Sequence, residues 1–376
     1  MSKSSLKEVA SLFLKLGITG FGGPAAHIAM MQSEVVSKRK WLTDQHFLDL
    51  IGATNLIPGP NSTEMAIHIG YERAGWKGLI VAGLCFILPA VVITGVFAWL
   101  YKTYGQLPEV QPFVYGIKPA IIAIILGAIS PLAKKSLKTM QLSIIGLAVL
   151  ALSLLNYNEI YLMFGAGFLA LLLASAKNKS GEKVKSIFPW PILQISGTTI
   201  FSVANVNLFW IFLKIGAILY GSGYVLFAFL DTELVSAGLL SRQQLIDAIA
   251  VGQFTPGPVF SAVTFVGYQI SGLTGATLAT IGIFLPSFVF VALLNPMVKK
   301  MRNSTLFSAF LDAVNVASVA IIVSVCYVMG KETITDWRTI LIALASGSVV
   351  FGFKKINSAF IVLGGSVAGY LLTFIS

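Results

Sequence analysis

The sequence contains few charged residues and only two cysteines. Charged residues make up 11% of its 376 residues, hydrophobic residues make up 56%, and the mean hydropathy is +0.85. Such a chain cannot cover itself with a charged surface in water, so the solvent for most of it is lipid. The net charge of +11 comes from short basic clusters between apolar runs. These clusters are typical of membrane orientation signals, and we exclude a nucleic-acid-binding protein.

Several kinds of chemistry lack the residues that they would need. Cys85 and Cys326 both lie inside apolar segments, so no disulfide framework, redox pair or metal cluster is predicted. The sequence has no HExxH or GxSxG motif, no nucleotide-binding loop and no histidine and carboxylate cluster with metal-ligand spacing. We therefore predict no catalytic residue, no metal site and no cofactor. An intramembrane enzyme and ATP-driven transport are both disfavoured.

The chain repeats itself at a distance of 197 to 199 residues. The segment FLKLG at 13–17 recurs as FLKIG at 212–216. A collinear series of such matches indicates an internal duplication, with halves at 1–176 and 199–376. The further matches are Pro58-Gly59-Pro60 with Pro256-Gly257-Pro258, Gly70-Tyr71 with Gly267-Tyr268, and Leu88-Pro89 with Leu285-Pro286.

Each half ends in four apolar segments whose lengths suit a hydrocarbon core of about 30 Å, although the shorter ones are marginal. In the first half the basic clusters follow the second and fourth segments, whereas in the second half they follow the first and third. The positive-inside rule therefore gives the halves opposite orientations, as in secondary transporters with inverted repeats. The segments are predicted at 77–101, 113–133, 140–156 and 158–176, then at 274–298, 306–329, 337–353 and 357–375.

Opposite orientations require an odd number of membrane crossings between equivalent points. Residues 177–198 are predicted to form a cytoplasmic linker that leads into an extra crossing at about 187–206, a stretch without charged residues. Pro189, Pro191 and Gly197 make this stretch a poor helix, so a segment in the membrane interface is the alternative.

The first 70 residues of each half contain apolar runs of only about 10 to 15 residues, which are too short to cross a membrane. Two such runs joined by a glycine and proline break can enter the membrane and return, provided that protein or water satisfies the exposed backbone. We predict an all-α polytopic membrane protein with two homologous halves in inverted topology, each with broken (re-entrant or half-length) helices followed by four membrane-spanning helices. The breaks are Gly22-Gly23-Pro24, Pro58-Gly59-Pro60, Gly221-Ser222-Gly223 and Pro256-Gly257-Pro258.

Symmetric breaks of this kind predict an anion site near the membrane midplane. A helix N-terminus carries about half a positive charge and several free backbone donors. Converging helix ends therefore attract an anion without a buried lysine or arginine.

Three motifs at these breaks carry a resemblance to a known family. They are FGGP at 21–24, NLIPGP at 55–60 and VGQFTPGP at 251–258, with a Gly-Tyr pair downstream in each half. Over nearly its whole length the chain resembles the chromate transporter family in its long, two-domain form. The second half departs from the pattern, with YGSG at 220–223 where FGGP stands in the first half. The resemblance implies an inner-membrane (plasma-membrane) antiporter that exports chromate with the proton motive force, confers chromate resistance and has sulfate as a structural competitor.

The candidate substrate site consists of the breaks and the polar residues beside them. Chromate and sulfate are tetrahedral dianions of similar size, so backbone donors and hydroxyls fit both. Lys15 and Lys214 are equivalent candidate cations, with snorkelling to the interface as the alternative. For the glycines and hydroxyl residues, close helix packing is the alternative. The candidates at the breaks are Gly22, Gly23, Pro24, Asn55, Pro58, Gly59, Pro60, Asn61, Ser62, Thr63, Gly221, Gly223, Gln253, Thr255, Pro256, Gly257, Pro258, Ser261 and Thr264.

Carboxylates in membrane segments are costly to bury and are therefore candidates for proton coupling. Glu34 matches Glu233 and Asp49 matches Asp247, with helix capping as the alternative role. Glu64 follows the first PGP, has no acidic equivalent and is the favoured coupling residue. The histidines His27 and His68 have no histidine equivalents, and a solitary, satisfied polar role is expected for each.

Two alternatives to a proton-driven chromate carrier stay open. One is a carrier for sulfate or another oxyanion, and the other is a passive anion channel, which counterflow exchange would separate from a carrier. The expected partners are the oxyanion, protons and the lipid bilayer. The sequence leaves open whether the chain works alone or as a homodimer.

Overall fold

The computed structural model describes residues 3–21, 23–105, 107–177, 203–221, 223–294, 305–353 and 356–374. All regular secondary structure in these ranges is helical, which confirms the predicted class. The helices of the first half are α1 (Lys3–Thr19), α2 (Gly23–Gln32), α3 (Asp44–Thr54), α4 (Asn61–Tyr104), α5 (Gln111–Ser136), α6 (Met140–Leu154) and α7 (Glu159–Lys177). Those of the second half are α8 (Val203–Ile218), α9 (Val225–Leu230), α10 (Arg242–Phe254), α11 (Ala262–Leu294), α12 (Thr305–Thr333), α13 (Trp337–Gly352) and α14 (Ser358–Leu372).

The described residues include five helices that are long and apolar enough to cross a membrane. They are α4, α5, α7, α11 and α12, while α6, α8, α13 and α14 are shorter apolar helices. In α4, Trp76 and Trp99 are both about half exposed and lie roughly 35 Å apart along the helix. Exposed tryptophans at this spacing are typical of the two membrane interfaces. The chain is a multi-pass membrane protein.

Helix α4 is a hairpin with two antiparallel arms, 61–73 and 76–104. Its backbone leaves helical geometry at Ala74 and Gly75, where Gly75 has φ +59°. Gly70 and Gly78 then pack so closely that a Cβ on either would collide with the backbone of the other. An uninterrupted helix would place these two residues about 12 Å apart. The same turn recurs in α11 at Ser271 and Gly272, which separates arms 262–270 and 273–294.

The short helices of the first half form two re-entrant hairpins. The Glu8 carboxylate of α1 lies 2.7 Å from the Arg73 guanidinium, which also stacks on Trp41 between α2 and α3 at 5.0 Å. These contacts therefore place three segments at the same end of the helices: the start of α1, the α2–α3 connection and the end of the first α4 arm. The breaks at 20–23 and 55–60 lie at the far ends of these helices. The short helices therefore run out and back as hairpins, and their re-entry into the membrane stays a prediction.

Helix caps repeat at equivalent positions in the two halves. The Thr43 side chain caps α3 and that of Ser241 caps α10, while Thr139 caps α6 and Asp336 caps α13. These equivalent caps keep the repeat spacing of 197 to 198 residues. Each cap satisfies backbone donors that the helix itself leaves free, so both halves begin the same helices in the same way.

The last two helices of each half pack on the other half. Helices α6 and α7 contact α12, whereas α13 and α14 contact α5, the equivalent of α12. Helices α4 and α11 also contact each other. Such reciprocal contacts are those of a two-fold relation between the halves.

Equivalent turns lie at opposite ends of the α4–α11 pair. The first-half turn at 74–75 precedes the long arm of α4, and the second-half turn lies beside its other end. There the Gln269 side-chain amide donates to the Ala98 carbonyl at 3.0 Å, and Lys102 lies over the Tyr268 ring. Since the long arm of α4 spans the membrane, this is the arrangement that an inverted repeat requires.

The extra crossing lies almost entirely outside the described residues, which omit 178–202. The same holds for most of the linker predicted at 177–198. The second-half basic residues Lys299, Lys300, Arg302, Lys354 and Lys355 also lie outside them.

Helices α5 and α14 meet through glycines. A Cβ built on Gly116 would collide with the backbone of Gly365 and Gly369, which are four residues apart on one face of α14. Small residues at this spacing let helix backbones approach closely in a membrane. The contact fixes the last helix of the second half to the first half.

We expect Gly365→Val to lower the unfolding temperature of the purified protein, because its side chain would collide with Ala120 and the Gly116 carbonyl. Overpacking of this kind typically costs about 1 to 3 kcal/mol. The adjacent Gly364→Val is the matched control, since a Cβ there meets nothing within 4 Å. Equal thermal shifts for the two variants would contradict the interlocked packing.

Candidate functional site

The two PGP breaks are joined to the opposite halves by equivalent hydrogen bonds. The Gly59 amide donates to the Leu219 carbonyl at 2.7 Å, and the Gly257 amide donates to the Gly20 carbonyl at 2.7 Å. Leu219 and Gly20 end α8 and α1 and are equivalent by the repeat spacing of 199. Each PGP therefore caps the C-terminal end of the first helix of the other half.

These bonds leave the helix N-termini as the open ends at the breaks. The Gly59 and Gly257 amides are occupied, so they are not available to an anion. After the first PGP, the first arm of α4 begins at Asn61 without a side-chain cap. The Thr63 and Glu64 amides donate to the Pro60 carbonyl. The last carbonyls of α1 and α8 are satisfied, whereas the uncapped N-termini leave backbone donors free.

The breaks lie at the middle of the long helices. A Cβ on Gly257 would meet Ala90, and one on Gly59 would meet the Ser287 hydroxyl. Ala90 and Ser287 each follow the proline inside the long arm of the opposite half, Pro89 or Pro286. Since residue 90 is central in the arm 76–104, the breaks meet near the middle of that arm.

Glu64 is buried at this meeting point. It has no exposed surface, and its Oε1 accepts a hydrogen bond from the Ser287 hydroxyl at 3.3 Å. Its Oε2 has no hydrogen-bond partner among the described residues. Gly59 with φ +132° leaves room for this carboxyl group, because a Cβ there would collide with Oε1. The first PGP thus carries a fully buried acid against the second half.

The second PGP carries hydroxyls instead. The Thr94 hydroxyl of α4 lies 3.3 Å from the Ser261 hydroxyl and 3.5 Å from that of Thr255. All three residues are buried. Gln253 lies one turn away, and its side-chain amide nitrogen has no partner among the described residues, while its oxygen accepts from the Tyr224 hydroxyl at 3.3 Å. The cluster offers neutral donors to an oxyanion.

The two polar groups differ in their key residues. Thr94 and Thr255 have the apolar equivalents Val291 and Ile57, although Ser261 and Gln253 correspond to the polar residues Thr63 and Asn55. Glu64 and Ser287 correspond to Ala262 and Ala90. Sequence reasoning missed Ser287 and Thr94, since each contacts its partners across the halves. The signal that could have found them is a polar residue in one half opposite an apolar one in the other, as for Thr94 opposite Val291.

The remaining polar candidates have local partners. The Asn61 side-chain amide donates to the Asn55 side-chain oxygen at 3.0 Å, so the two bridge the first PGP. Ser62 and Thr63 are buried, and the Thr63 hydroxyl has no partner in the described part of the chain. The Thr264 hydroxyl lies 2.8 Å from that of Thr280, which assigns it to packing within the α11 hairpin.

The other breaks are described only in part. Gly22 and Ser222 lie outside the described residues. Gly23 has φ +78° and precedes Pro24 at the start of α2, where its surroundings are open. Gly221 has φ +97° and lies against Ser318 of α12, whose hydroxyl donates to the Tyr220 carbonyl.

The two candidate lysines pair with two of the candidate acids. The Lys15 ammonium lies 3.4 Å from Glu34, and the equivalent Lys214 ammonium lies 2.7 Å from Glu233. Glu34 is also paired with Lys38 and Arg39. Each pair ties the first helix of a re-entrant hairpin to its returning helix, so we do not place these residues among the anion ligands.

The equivalent acids Asp49 and Asp247 differ in their surroundings. Asp49 is partly exposed on α3, whereas Asp247 is 4% exposed on α10. The Tyr101 hydroxyl donates to Asp247 Oδ2 at 2.6 Å, and the Lys118 ammonium lies 3.8 Å from Oδ1. Sequence reasoning missed Lys118, which lies inside the apolar segment predicted at 113–133.

The two histidines are both buried. His27 Nε2 lies 2.9 Å from the Gly20 carbonyl, which fits the satisfied role expected for it. For His68 that expectation is wrong, because neither ring nitrogen has a hydrogen-bond partner among the described residues. Within the same residues no group of three histidine, cysteine or acidic side chains could hold a metal ion, and both cysteines are free thiols.

Comparison with known proteins shows where this arrangement belongs. The family described as chromate transporter matches the chain twice, at 7–171 and at 206–370. This chain belongs to the chromate transporter family. Its members are transporters, not enzymes, and the two matches show the long form with two repeats.

Relatives in other organisms cover the chain in whole or in half. The chromate transport protein of Cupriavidus metallidurans is 31% identical over 97% of this chain and 92% of its own length. The "Probable chromate transport protein" of Synechococcus elongatus is 31% identical over 98% and 95%. The uncharacterised transporter YwrA of Bacillus subtilis matches 41% of this chain and 89% of its own length at 25% identity. No solved structure matches the chain.

The half-length relative fits the duplication. A chain that matches one repeat over nearly all of its own length indicates that the repeat exists as a separate unit within the chromate transporter family. In the present chain the two repeats are fused, so each can acquire polar residues that the other lacks. Glu64 and Ser287 at one PGP and Thr94 and Thr255 at the other are such residues.

We expect a disulfide to join the halves when Thr94→Cys is combined with Ser261→Cys, because their hydroxyls are 3.3 Å apart. Cys85 and Cys326 are first replaced by alanine, and a protease site is inserted between the repeats. After oxidation and cleavage, the halves should stay together on a non-reducing gel. Gly95→Cys with Ser261→Cys is the control, since Gly95 faces open space. Separation of the halves in the first pair would refute the contact between Thr94 and the second PGP.

Proposed function

We propose that this protein is a secondary carrier for a tetrahedral oxyanion, with chromate the first candidate substrate and sulfate the second. The observation that carries the proposal is the meeting of two PGP breaks from opposite halves at the middle of the long helices. Membership of the chromate transporter family supports an oxyanion substrate. The names of the Cupriavidus and Synechococcus relatives support chromate in particular.

The anion binds at the open helix N-termini of the breaks. Its ligands are the first two amides after Pro60 and the first two after Pro258, because the next amide in each case bonds to the proline carbonyl and no side chain caps either helix. The Thr255 hydroxyl donates to the Val251 carbonyl and the Thr94 hydroxyl donates within the cluster. The Ser261 hydroxyl and the Gln253 side-chain amide are therefore the neutral donors that the cluster adds. Backbone amides and hydroxyls surround a tetrahedral dianion without fixing the identity of its central atom. The site therefore accepts chromate and sulfate with little discrimination.

Glu64 couples the anion to protons. A carboxyl group in the membrane interior costs about 2.5 to 3.5 kcal/mol on insertion scales, so its retention indicates a function. It lies three residues inside the helix that begins after Pro60, close to the positive helix end. A proton on Glu64 and a dianion at the breaks influence each other electrostatically. Binding of the anion thereby depends on whether the carboxyl group is protonated.

The halves lie in opposite orientations in the inner, or plasma, membrane, and the first-half turn at 74–75 faces the cytoplasm. Arg73 and Lys77 flank this turn, whereas Ile270 to Thr274 at the equivalent turn carry no charge. The positive-inside rule supports this orientation. An ionised Glu64 would repel the dianion, so coupling through this residue moves the proton and the anion in the same direction. Export of the anion in exchange for protons, which the family resemblance implies, would need a second titrating group.

We expect purified protein in liposomes to accumulate labelled chromate when a pH gradient is imposed, and to exchange labelled for unlabelled chromate without a gradient. Glu64→Gln should abolish the gradient-driven accumulation but keep the exchange, because the variant still binds the anion and cannot carry the proton. The exposed loop variant Glu109→Gln is the control and should behave as the wild type.

Each other outcome changes one part of the proposal. Loss of exchange along with accumulation would place Glu64 in binding or folding, and not in coupling. Chromate flux without exchange would favour a passive channel. Transport of sulfate alone would change the substrate, and flux of neither anion would make the oxyanion assignment wrong.

A further inference from the structure

Equivalent helices of the two halves are docked differently. Helix α10 packs on α5 and α14, and α9 packs on α12 and α7. Their equivalents α3 and α2 make their main contacts within the first half: both contact α4, and α2 also contacts α1. Ile246 of α10 has no exposed surface, whereas its equivalent Leu48 is 52% exposed. The second re-entrant pair is closed against the bundle and the first is open.

A polar cluster lies at the contact between α10 and the bundle. Asp247 accepts from the Tyr101 hydroxyl of α4 at 2.6 Å and faces the Lys118 ammonium of α5 at 3.8 Å. The side chains of Lys118 and Asp247 are 15% and 5% exposed. Their mutual attraction and the Tyr101 hydrogen bond offset the cost of taking the two charges out of water, so the buried arrangement requires all three partners together.

The cluster belongs to one half only. With the repeat spacing of 197, Lys118 corresponds to Asn315 and Tyr101 to Val298. Asp49 corresponds to Asp247 and lies on the open α3. If α3 were docked on α12 as α10 is docked on α5, Asp49 would face Asn315 in place of a lysine. The two docked arrangements are similar in shape and differ in charge pairing.

We propose that Lys118, Asp247 and Tyr101 form a latch that holds the second re-entrant pair closed, and that transport requires the latch to open while α2 and α3 close on the other side. This inference rests on the proposed carrier function. The carrier then has two states related by the repeat: in one α10 is docked on α5, and in the other α3 is docked on α12. Because Asn315 cannot pair with Asp49 as an ion, the state with the latch closed is favoured without substrate.

The latch residues act through the position of α10. Asp247 lies about two turns before the second PGP on α10, so release of α10 moves Gln253 and Thr255, which follow it in the chain. Lys118 and Tyr101 are accordingly positioning residues for the anion site. Only the state with α10 docked contains the ion pair, so the pair favours that state over the other.

The test measures labelling of single cysteines by a membrane-impermeant maleimide. Cys85 and Cys326 are replaced by alanine, and cysteine is placed at Ile246 or at the equivalent Leu48. In the wild-type latch we expect slow labelling at Ile246→Cys and fast labelling at Leu48→Cys. Lys118→Gln with Asp247→Asn removes the pair without leaving a lone buried charge.

In the double neutral variant, labelling at Ile246→Cys should rise about tenfold and labelling at Leu48→Cys should fall, because the states exchange. A factor of this size corresponds to the loss of one hydrogen bond to a charged group. Tyr101→Phe should give a smaller change of the same sign. The exchanged pair Lys118→Asp with Asp247→Lys should restore the wild-type pattern.

If labelling rises at both positions, the cluster only stabilises the fold. If labelling is unchanged at both positions, the cluster does not hold α10 in its docked position. Either result overturns the latch. Tyr101→Phe keeps the test decisive if the double variant does not fold. Labelling needs no substrate, so it tests the latch separately from transport. If the labelling changes are reciprocal but the protein transports neither chromate nor sulfate, the latch stands and the proposed oxyanion substrate is wrong.

Discussion

Each PGP turn in this protein satisfies the end of a helix that belongs to the other half. The glycine amides of Gly59 and Gly257 donate to the last carbonyls of α8 and α1, both at 2.7 Å. Unpaired backbone groups in the membrane interior cost several kcal/mol each, so broken helices are tolerated there only with such partners. The breaks in one half are therefore stable only because the other half is present. The positions of the open N-termini, of Glu64 and of the hydroxyl cluster all follow from these two bonds.

The duplication supplied two equivalent sites, and the polar residues made them different. A carboxyl group with Ser287 stands at one PGP, and Thr94 with Thr255 and Ser261 stands at the other. The apolar equivalents Ala262, Ala90 and Val291 show that packing does not require these groups. The proposed carrier uses this difference, with the proton at one break and the anion at the other.

Much of the fold could be predicted because it depends on features that are local in the sequence. The PGP motifs, the apolar run lengths and the basic clusters located the breaks and the long helices. The pairing of Lys15 with Glu34 could not be predicted, because it requires the path of the chain through the first re-entrant hairpin. The roles of Thr94, Ser287 and Lys118 were hidden for a related reason. Their partners lie in the other half, up to 223 residues away, and each looks like an ordinary helical residue in its own segment.

Inversion of the halves is the central claim, and Trp76 and Leu273 test it most directly. They are equivalent by the spacing of 197, follow the two turns, and are 59% and 77% exposed. In a background without Cys85 and Cys326, single cysteines at the two positions would be labelled with an impermeant maleimide in intact cells and in inside-out vesicles. The account predicts labelling of Trp76→Cys only in the vesicles and of Leu273→Cys only in the cells. Labelling of both from the same side would contradict it.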